Sequence, residues 1–143
     1  MKVLIVGGGG REHAIATKIA ENPSVEKLYA APGNGGMASI CELVPLKATD
    51  VEGIVAWAKD NAIDFVVVAP DDPLCLGMVD ALKAVALPAV EVHMSKVDER
   101  EPFRQVSYAG MACVKTYMGL GFEGYRQAIL YLKDYLAGKE AEA

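Results

Sequence analysis

Residues 2–11 read Lys-Val-Leu-Ile-Val-Gly-Gly-Gly-Gly-Arg, and this stretch decides the fold. Its apolar part, Val3–Val6, is short, rich in β-branched side chains and followed by glycine, which predicts a buried parallel strand. A helix is predicted to follow from about Arg11 to Glu21, because Asn22-Pro23 ends the helical pattern. Four glycines therefore stand at a strand-to-helix turn.

Strand-like and helix-like segments alternate along the rest of the chain. The predicted strands are Lys27–Ala30, Leu43–Leu46, Asp64–Val68, Pro88–His93 and Cys113–Met118. Further helices are predicted from a capping box at Thr49 and Glu52, after Pro70–Pro73, and over Phe122–Leu136. This alternation predicts a three-layer, doubly wound parallel sheet with right-handed crossovers and the strand order 3-2-1-4-5-6. Residues 138–143 are predicted to be a frayed tail.

Composition limits the classes of function. The 143 residues are 52% hydrophobic, which suits one domain with a sizeable core. The net charge of −5 argues against a nucleic-acid or anionic-membrane partner. Three widely spaced cysteines lack the spacing of a zinc site, so no metal is predicted, and their odd number favours a reducing compartment. With no apolar run long enough for a signal peptide or membrane span, a cytoplasmic location is expected.

The glycine turn is a candidate anion site. Unpaired N–H groups and partial positive charge gather at a helix N-terminus, so phosphate or a carboxylate is the natural guest of Gly8, Gly9, Gly10 and Arg11. The alternative is that the glycines only permit a tight turn.

A dinucleotide is disfavoured, and no cofactor is predicted. The fingerprint G-x-G-x-x-G would need its third glycine where Glu12 or His13 stands. It also needs an acidic residue at the end of the second strand to hold the ribose. The sequence there is Tyr-Ala-Ala-Pro over residues 29–32.

The first half carries four motifs of one family. Residues 2–14 contain Val-Gly-Gly-Gly-Gly-Arg-Glu-His-Ala, residues 31–36 read Ala-Pro-Gly-Asn-Gly-Gly, Thr49-Asp50 follows, and residues 68–74 read Val-Ala-Pro-Asp-Asp-Pro-Leu. Over residues 1 to about 80 the chain resembles the N-terminal domain of phosphoribosylamine–glycine ligase, an enzyme of purine synthesis. The resemblance implies a phosphate role for the glycine turn beside a phosphoribosylamine site. In that family an ATP-grasp module performs the ligation; this sequence lacks it, so ligase activity is not expected.

The second half resembles a different family, the C-terminal half of type II 3-dehydroquinate dehydratase, an enzyme of the shikimate pathway. The matching stretches are Leu-Pro-Ala-Val-Glu-Val-His-Met-Ser over residues 87–95, Arg-Glu-Pro-Phe-Arg over residues 100–104, Ser107-Tyr108, and Gly-Leu-Gly-Phe-Glu-Gly-Tyr over residues 119–125. The resemblance implies that His93 corresponds to a general acid. It also implies substrate-binding positions at Met94, Ser95 and Arg104.

Essential parts of the dehydratase pattern are missing. That family needs an Asn-Gly-Pro-Asn turn and a mobile loop with an arginine and a tyrosine base, and neither is present. Eliminating water needs both a base and an acid, and only the acid has a candidate. His93 is therefore interpreted as a non-catalytic relic. If lyase activity survives, Tyr29 and Asp71 are the only nearby surrogate bases.

The sequence as a whole predicts a chimera, engineered or naturally recombined, that folds as a single α/β domain over residues 1–143. A ligase-derived half (residues 1–80) and a dehydratase-derived half (residues 81–137) meet at a seam within residues 78–87, in a Rossmann-like and flavodoxin-like hybrid. We expect a scaffold without catalysis that binds phosphate or another small anion, as a monomer or small homo-oligomer. Residual dehydratase activity and a binding module for a ribose phosphate are the alternatives. Small packing faults are expected at the seam.

Overall fold

The computed structural model describes residues 1–102 and 105–142, without the side chains of residues 139–142. The strands in this part of the chain are β1 (Lys2–Gly7), β2 (Lys27–Pro32), β3 (Glu42–Leu43), β4 (Phe65–Val68), β5 (Val90–His93) and β6 (Lys115–Met118). The α-helices are α1 (Gly10–Ala20), α2 (Val51–Asp60), α3 (Asp71–Cys75), α4 (Met78–Ala84) and α5 (Glu123–Glu142). Strands and helices alternate as the sequence predicts. None of the described helices is both long and apolar enough to cross a membrane.

The first four strands form one parallel sheet in the order β3-β2-β1-β4. β1 lies in its centre, with Val6 opposite Ala31 of β2 on one side and opposite Val68 of β4 on the other. The carboxyl ends of these strands therefore meet at one edge of the sheet, next to the glycine turn. The α/β class and the order 3-2-1-4 are confirmed.

The predicted continuation of the order from strand 4 to strand 5 needs correction. β5 pairs with β6 in a separate parallel two-stranded sheet, and within the described residues no ladder joins β4 to β5. A cavity of about 70 Å³ lies there, lined by Val67 of β4, Val90 of β5 and Ile129 of α5 among others. A ladder requires strands about 4.8 Å apart, and the space between these two strands is occupied by this cavity and its side chains instead.

Alternate side chains of β1 point to two cores, because successive residues of a strand face opposite sides of the sheet. Val3 and Ile5 pack with α1 and α5, in a cluster that includes Ile15 and Ile129. Leu4 and Val6 pack with α2 and α4, in a cluster whose other members include Ile54 and Met78. Helices therefore cover both faces of the sheet. Through α5, the second half of the chain shares a core with the first.

Several elements differ from their predicted form. The predicted helix after Pro70 is divided into α3 and α4 at Gly77, whose φ of +80° suits glycine. α2 is capped by Asp50, which accepts a hydrogen bond from the Gly53 N–H at 3.0 Å, and not by Thr49. The third strand has only two residues.

The end of the chain also differs, because helical backbone in α5 continues to Glu142. It therefore includes residues 138–142, which were predicted to be frayed. Lysine, glutamate and alanine dominate this segment, and all three are strong helix formers.

Candidate functional site

Glu12 fills the space that the glycine turn creates. Its carboxylate accepts a hydrogen bond from the Gly9 N–H at 2.5 Å, and the residue is 6% exposed. Gly7 has a φ of +124°, and a Cβ placed there would lie 2.6 Å from Cγ of Glu12. The chain's own carboxylate therefore occupies one of the N–H groups that a bound anion would use.

Gly8 allows the first two strand ends to approach each other closely. A Cβ at Gly8 would lie 2.4 Å from the carbonyl oxygen of Gly33, in the loop after β2. The same loop holds the turn through hydrogen bonds: Asn34 Nδ2 donates to the Gly8 carbonyl at 2.8 Å, and the Gly33 N–H donates to the Gly7 carbonyl at 3.1 Å. Packing alone thus accounts for glycine at position 8.

Gly10 and Arg11 form the open part of the turn. Both are exposed, and no atom lies within 4 Å of a Cβ placed at Gly10. The part of the chain that the structure describes holds no hydrogen bond or ion pair to the Arg11 guanidinium. Among the four residues predicted to bind an anion, Gly10 and Arg11 are thus open, whereas the N–H of Gly9 is engaged by Glu12.

A cavity of about 480 Å³ runs along β4 and β5 and reaches their carboxyl ends. The carboxyl edge is the position where open α/β sheets bind ligands. Its polar lining comes from both halves of the chain: Arg11, Asp71, Glu91, His93, Ser95, Arg100, Cys113 and Tyr125. Arg11 thus shares a cavity with His93, Met94 and Ser95. Of the predicted site residues, Gly8, Gly9 and Gly10 do not line it, and Arg104 lies outside the described residues.

Glu91 is the principal partner of His93. Nε2 of His93 is buried and lies 2.9 Å from Oε1 of Glu91, within ion-pair distance but not aligned for a hydrogen bond. Glu91 also accepts hydrogen bonds from the hydroxyl of Ser107 and, at 3.2 Å, from that of Thr116. Sequence reasoning missed Glu91. Glu91 could have been found from its position two residues before His93 on the same strand, because this spacing puts both side chains on one face.

The segment after β5 supplies a second arginine. Nη2 of Arg100 donates a hydrogen bond to Oγ of Ser95, and both residues line the cavity. The Gly121 N–H donates to the Met94 carbonyl at 3.1 Å and fixes the start of this segment. The sequence contained Arg100 in a recognised motif, but no role was predicted for it.

The candidate bases occupy different surroundings. Tyr29 lies in β2 within the core, its ring 5.0 Å from that of Trp57, so its prediction as a surrogate base is wrong. Asp71 is exposed at the start of α3 and lines the cavity.

Two other titratable residues of the cavity have raised pKa values. Burial raises the pKa of Tyr125, although the charge of Arg11 acts in the opposite direction. Burial, and then the charge of Glu91, raise the pKa of the Cys113 thiol to about 11.

Comparison with known proteins identifies the first part of the chain. The sequence model of the family described as phosphoribosylglycinamide synthetase, N domain, matches residues 1–95. The chain belongs to this family. Phosphoribosylamine–glycine ligase of Agrobacterium fabrum is 52% identical over 87 residues, which cover 61% of this chain and 21% of that protein. The Vibrio cholerae ligase is 49% identical over 90 residues, which cover 62% of this chain and 21% of that protein.

This member of the N-domain family spans about a fifth of the length of the ligases it matches. The family match reaches residue 95, beyond the seam predicted within residues 78–87. It therefore includes His93 and Ser95 as well as the glycine turn.

Solved structures relate the whole chain to a second fold. The type II dehydroquinase of Butyrivibrio crossotus superimposes with a TM-score of 0.61 and 22% identity, covering 93% of this chain and 97% of that one. The enzyme from Propionibacterium acnes superimposes with a TM-score of 0.56 and 21% identity, covering 92% of this chain and 96% of that one. At these identities the likeness establishes the fold, a dehydroquinase-like α/β architecture that runs through both halves of the chain.

Proposed function

We propose that this chain is a recombined α/β scaffold, engineered or natural, that binds phosphate or another small anion at Arg11 and catalyses neither parental reaction. The observation that carries the proposal is the open guanidinium of Arg11 on the wall of the 480 Å³ cavity.

Two findings support recombination. The N-domain family covers residues 1–95, whereas the dehydroquinase fold extends over 93% of the chain. Between β4 and β5, where the two parental sheets would join, there is no backbone ladder within the described segments, and a 70 Å³ cavity is present. Side chains from different parents that were never fitted to each other would leave a gap of this kind.

The charge around the turn supports anion binding. An arginine such as Arg11 is positively charged at all physiological pH values, and Gly10 beside it has space for a ligand to approach the backbone. The N-terminus of the 11-residue helix α1 adds partial positive charge at the same place, which the carboxylate of Glu12 partly offsets. Because the Gly9 N–H is bonded to Glu12, we place the anion at the guanidinium of Arg11, on the cavity wall, and not at Gly9.

The proposal of no catalysis rests on how the candidate groups are engaged. Nε2 of His93 is buried and faces the partly buried carboxylate of Glu91, so it is poorly placed to donate to a leaving group in the cavity. Burial raises the pKa of Tyr125, which also lines the cavity, and so disfavours the tyrosinate form that could act as a base.

Residual dehydratase activity is the second candidate, because Asp71 and His93 line the same cavity. In that reaction Asp71 would accept the proton and His93 would supply one to the leaving hydroxyl. Activity that disappears in both His93→Ala and Asp71→Asn would favour this candidate. Activity that His93→Ala leaves unchanged would exclude it.

Calorimetric titration with inorganic phosphate tests the proposal, together with assays of dehydroquinate turnover and glycinamide ribonucleotide formation. We expect millimolar binding that Arg11→Gln abolishes and Arg126→Gln preserves. Arg126 is a matched control because it is paired with Glu123 on the surface of α5. Phosphate binding unaffected by Arg11→Gln would overturn the anion site. Turnover well above background in either assay would overturn the proposal that the chain is a scaffold without catalysis.

A further inference from the structure

We propose that Arg100 is a second anion anchor, so that the cavity selects a hydroxylated ligand with an anionic group at each end, such as a pentose bisphosphate. This inference deepens the proposed function and rests on it, because the first anionic group would be held at Arg11.

Arg100 has the charge that such an anchor needs. Its guanidinium donates a hydrogen bond to Ser95 Oγ, a neutral acceptor, and no ion pair of Arg100 is formed with another described residue. Arginine presents five donors in a planar fork and keeps its charge at all physiological pH values, so a phosphate can bind it in bidentate fashion. The hydroxyl of Ser95 beside it offers a further donor.

The two arginines lie on one cavity but come from different halves of the chain. Arg11 follows the glycine turn at the end of β1, and Arg100 belongs to the segment after β5. A ligand with a single anionic group engages one of them. A ligand with two can engage both, since both arginines line the same space.

The carboxylates of the cavity indicate which chemical groups the middle of the ligand should carry. The oxygens of Glu91 already accept hydrogen bonds from Ser107 and Thr116 and lie against His93, so Glu91 is not the carboxylate that would contact the ligand. Asp71 is exposed at the start of α3 and can accept hydrogen bonds from hydroxyl groups. A sugar between the two anionic groups would supply such hydroxyls. The volume of about 480 Å³ falls within the range of about 300–1,000 Å³ typical of small-molecule sites.

Titrations with ribose 5-phosphate and ribose 1,5-bisphosphate test this inference, since the two probes share a sugar and differ in one phosphate. We expect the bisphosphate to bind wild-type protein about tenfold more tightly, as one additional charge-assisted contact would give. Arg100→Gln should remove this advantage and leave the affinity for ribose 5-phosphate nearly unchanged. Arg11→Gln should weaken both probes, and Arg126→Gln should weaken neither.

The outcomes separate this inference from the proposed function. If ribose 5-phosphate binds through Arg11 but the bisphosphate gains less than about twofold, the second anchor is refuted and the anion site stands. The same holds if Arg100→Gln leaves the advantage intact. If neither probe binds the wild-type protein, both proposals fail. Because Arg100 is exposed, its replacement should not disturb folding, and a circular dichroism spectrum of each variant checks this.

Discussion

Glu12 changes the interpretation of the glycine turn at the scale of single residues. The sequence correctly places four glycines between a strand and a helix, but it cannot show that Gly7 and Gly9 surround a folded-back carboxylate. The position of Glu12, three residues after the helix cap, is the usual place for such a contact. The close approach of Gly8 to Gly33 was beyond sequence reasoning, because it depends on how two distant loops meet.

The four glycines should therefore respond differently to alanine. Gly8→Ala places a Cβ 2.4 Å from a backbone carbonyl oxygen, so we expect it to lower the free energy of unfolding by about 2–3 kcal/mol. Gly10→Ala meets no atom within 4 Å and should change it by less than about 0.5 kcal/mol, or raise it slightly. Urea denaturation measures both. Equal effects of the two substitutions would contradict the close packing of Gly8 and the openness of Gly10.

The cysteine thiols provide a second test at this scale. Burial raises the pKa values of Cys41 and Cys113 to about 11, whereas Cys75 is exposed. At pH 8 we expect iodoacetamide to label Cys75 first, as followed by mass spectrometry of peptides. Because the folded pKa values lie above the ordinary value of 9.0, their stabilising contribution is present below pH 9 and is lost as pH rises through 11. Labelling of Cys113 as fast as Cys75 would contradict this burial.

At the scale of elements, periodicity identified the strands and helices well and their ends less well. β1 and α1 are close to their predicted bounds, since apolar pattern and glycine agree there. The division between α3 and α4 at Gly77 was missed, because one glycine within a helical pattern is often tolerated. The cap of α2 was assigned to the wrong one of two adjacent residues that both cap helices well.

The cap of α2 can be tested directly. Asp50→Ala removes the acceptor of the Gly53 N–H, and we expect a loss of about 1 kcal/mol in the free energy of unfolding. Thr49→Ala is the matched control and should cost less than about 0.5 kcal/mol. Thermal unfolding of the two variants measures the difference. A larger loss in the free energy of unfolding for Thr49→Ala than for Asp50→Ala would instead support the capping box at Thr49 and Glu52 that the sequence predicts.

For the whole molecule, the α/β class and the order of the first four strands followed from the alternation of elements. The step from β4 to β5 could not be predicted, because it depends on how side chains of β4, β5 and α5 fit together. The sequence singled out Arg11, His93 and Ser95 separately, and the structure brings the three to one cavity. Glu91 and Arg100 were missed, since their roles arise only once the sheets place them together.

Filling the gap between the two sheets should stabilise the whole molecule. Ala128 of α5 lines the 70 Å³ cavity and is 7% exposed. Ala128→Leu adds apolar volume there, and we expect it to raise the free energy of unfolding by about 1 kcal/mol. Ala137→Leu, on the exposed face of the same helix, should change it by less than about 0.5 kcal/mol. Destabilisation by Ala128→Leu alone would mean that the gap is already well packed.

The most direct test of the central claim, that both halves build one anion-binding cavity, is a titration with ribose 1,5-bisphosphate followed in ¹H–¹⁵N correlation spectra. We predict that the amide signals of Gly10 and Arg11 in the first half and of Ser95 in the second half shift together along one binding curve. Shifts at only one side of the cavity, or no shift in any of these three signals at tens of millimolar ribose 1,5-bisphosphate, would contradict a shared anion-binding cavity.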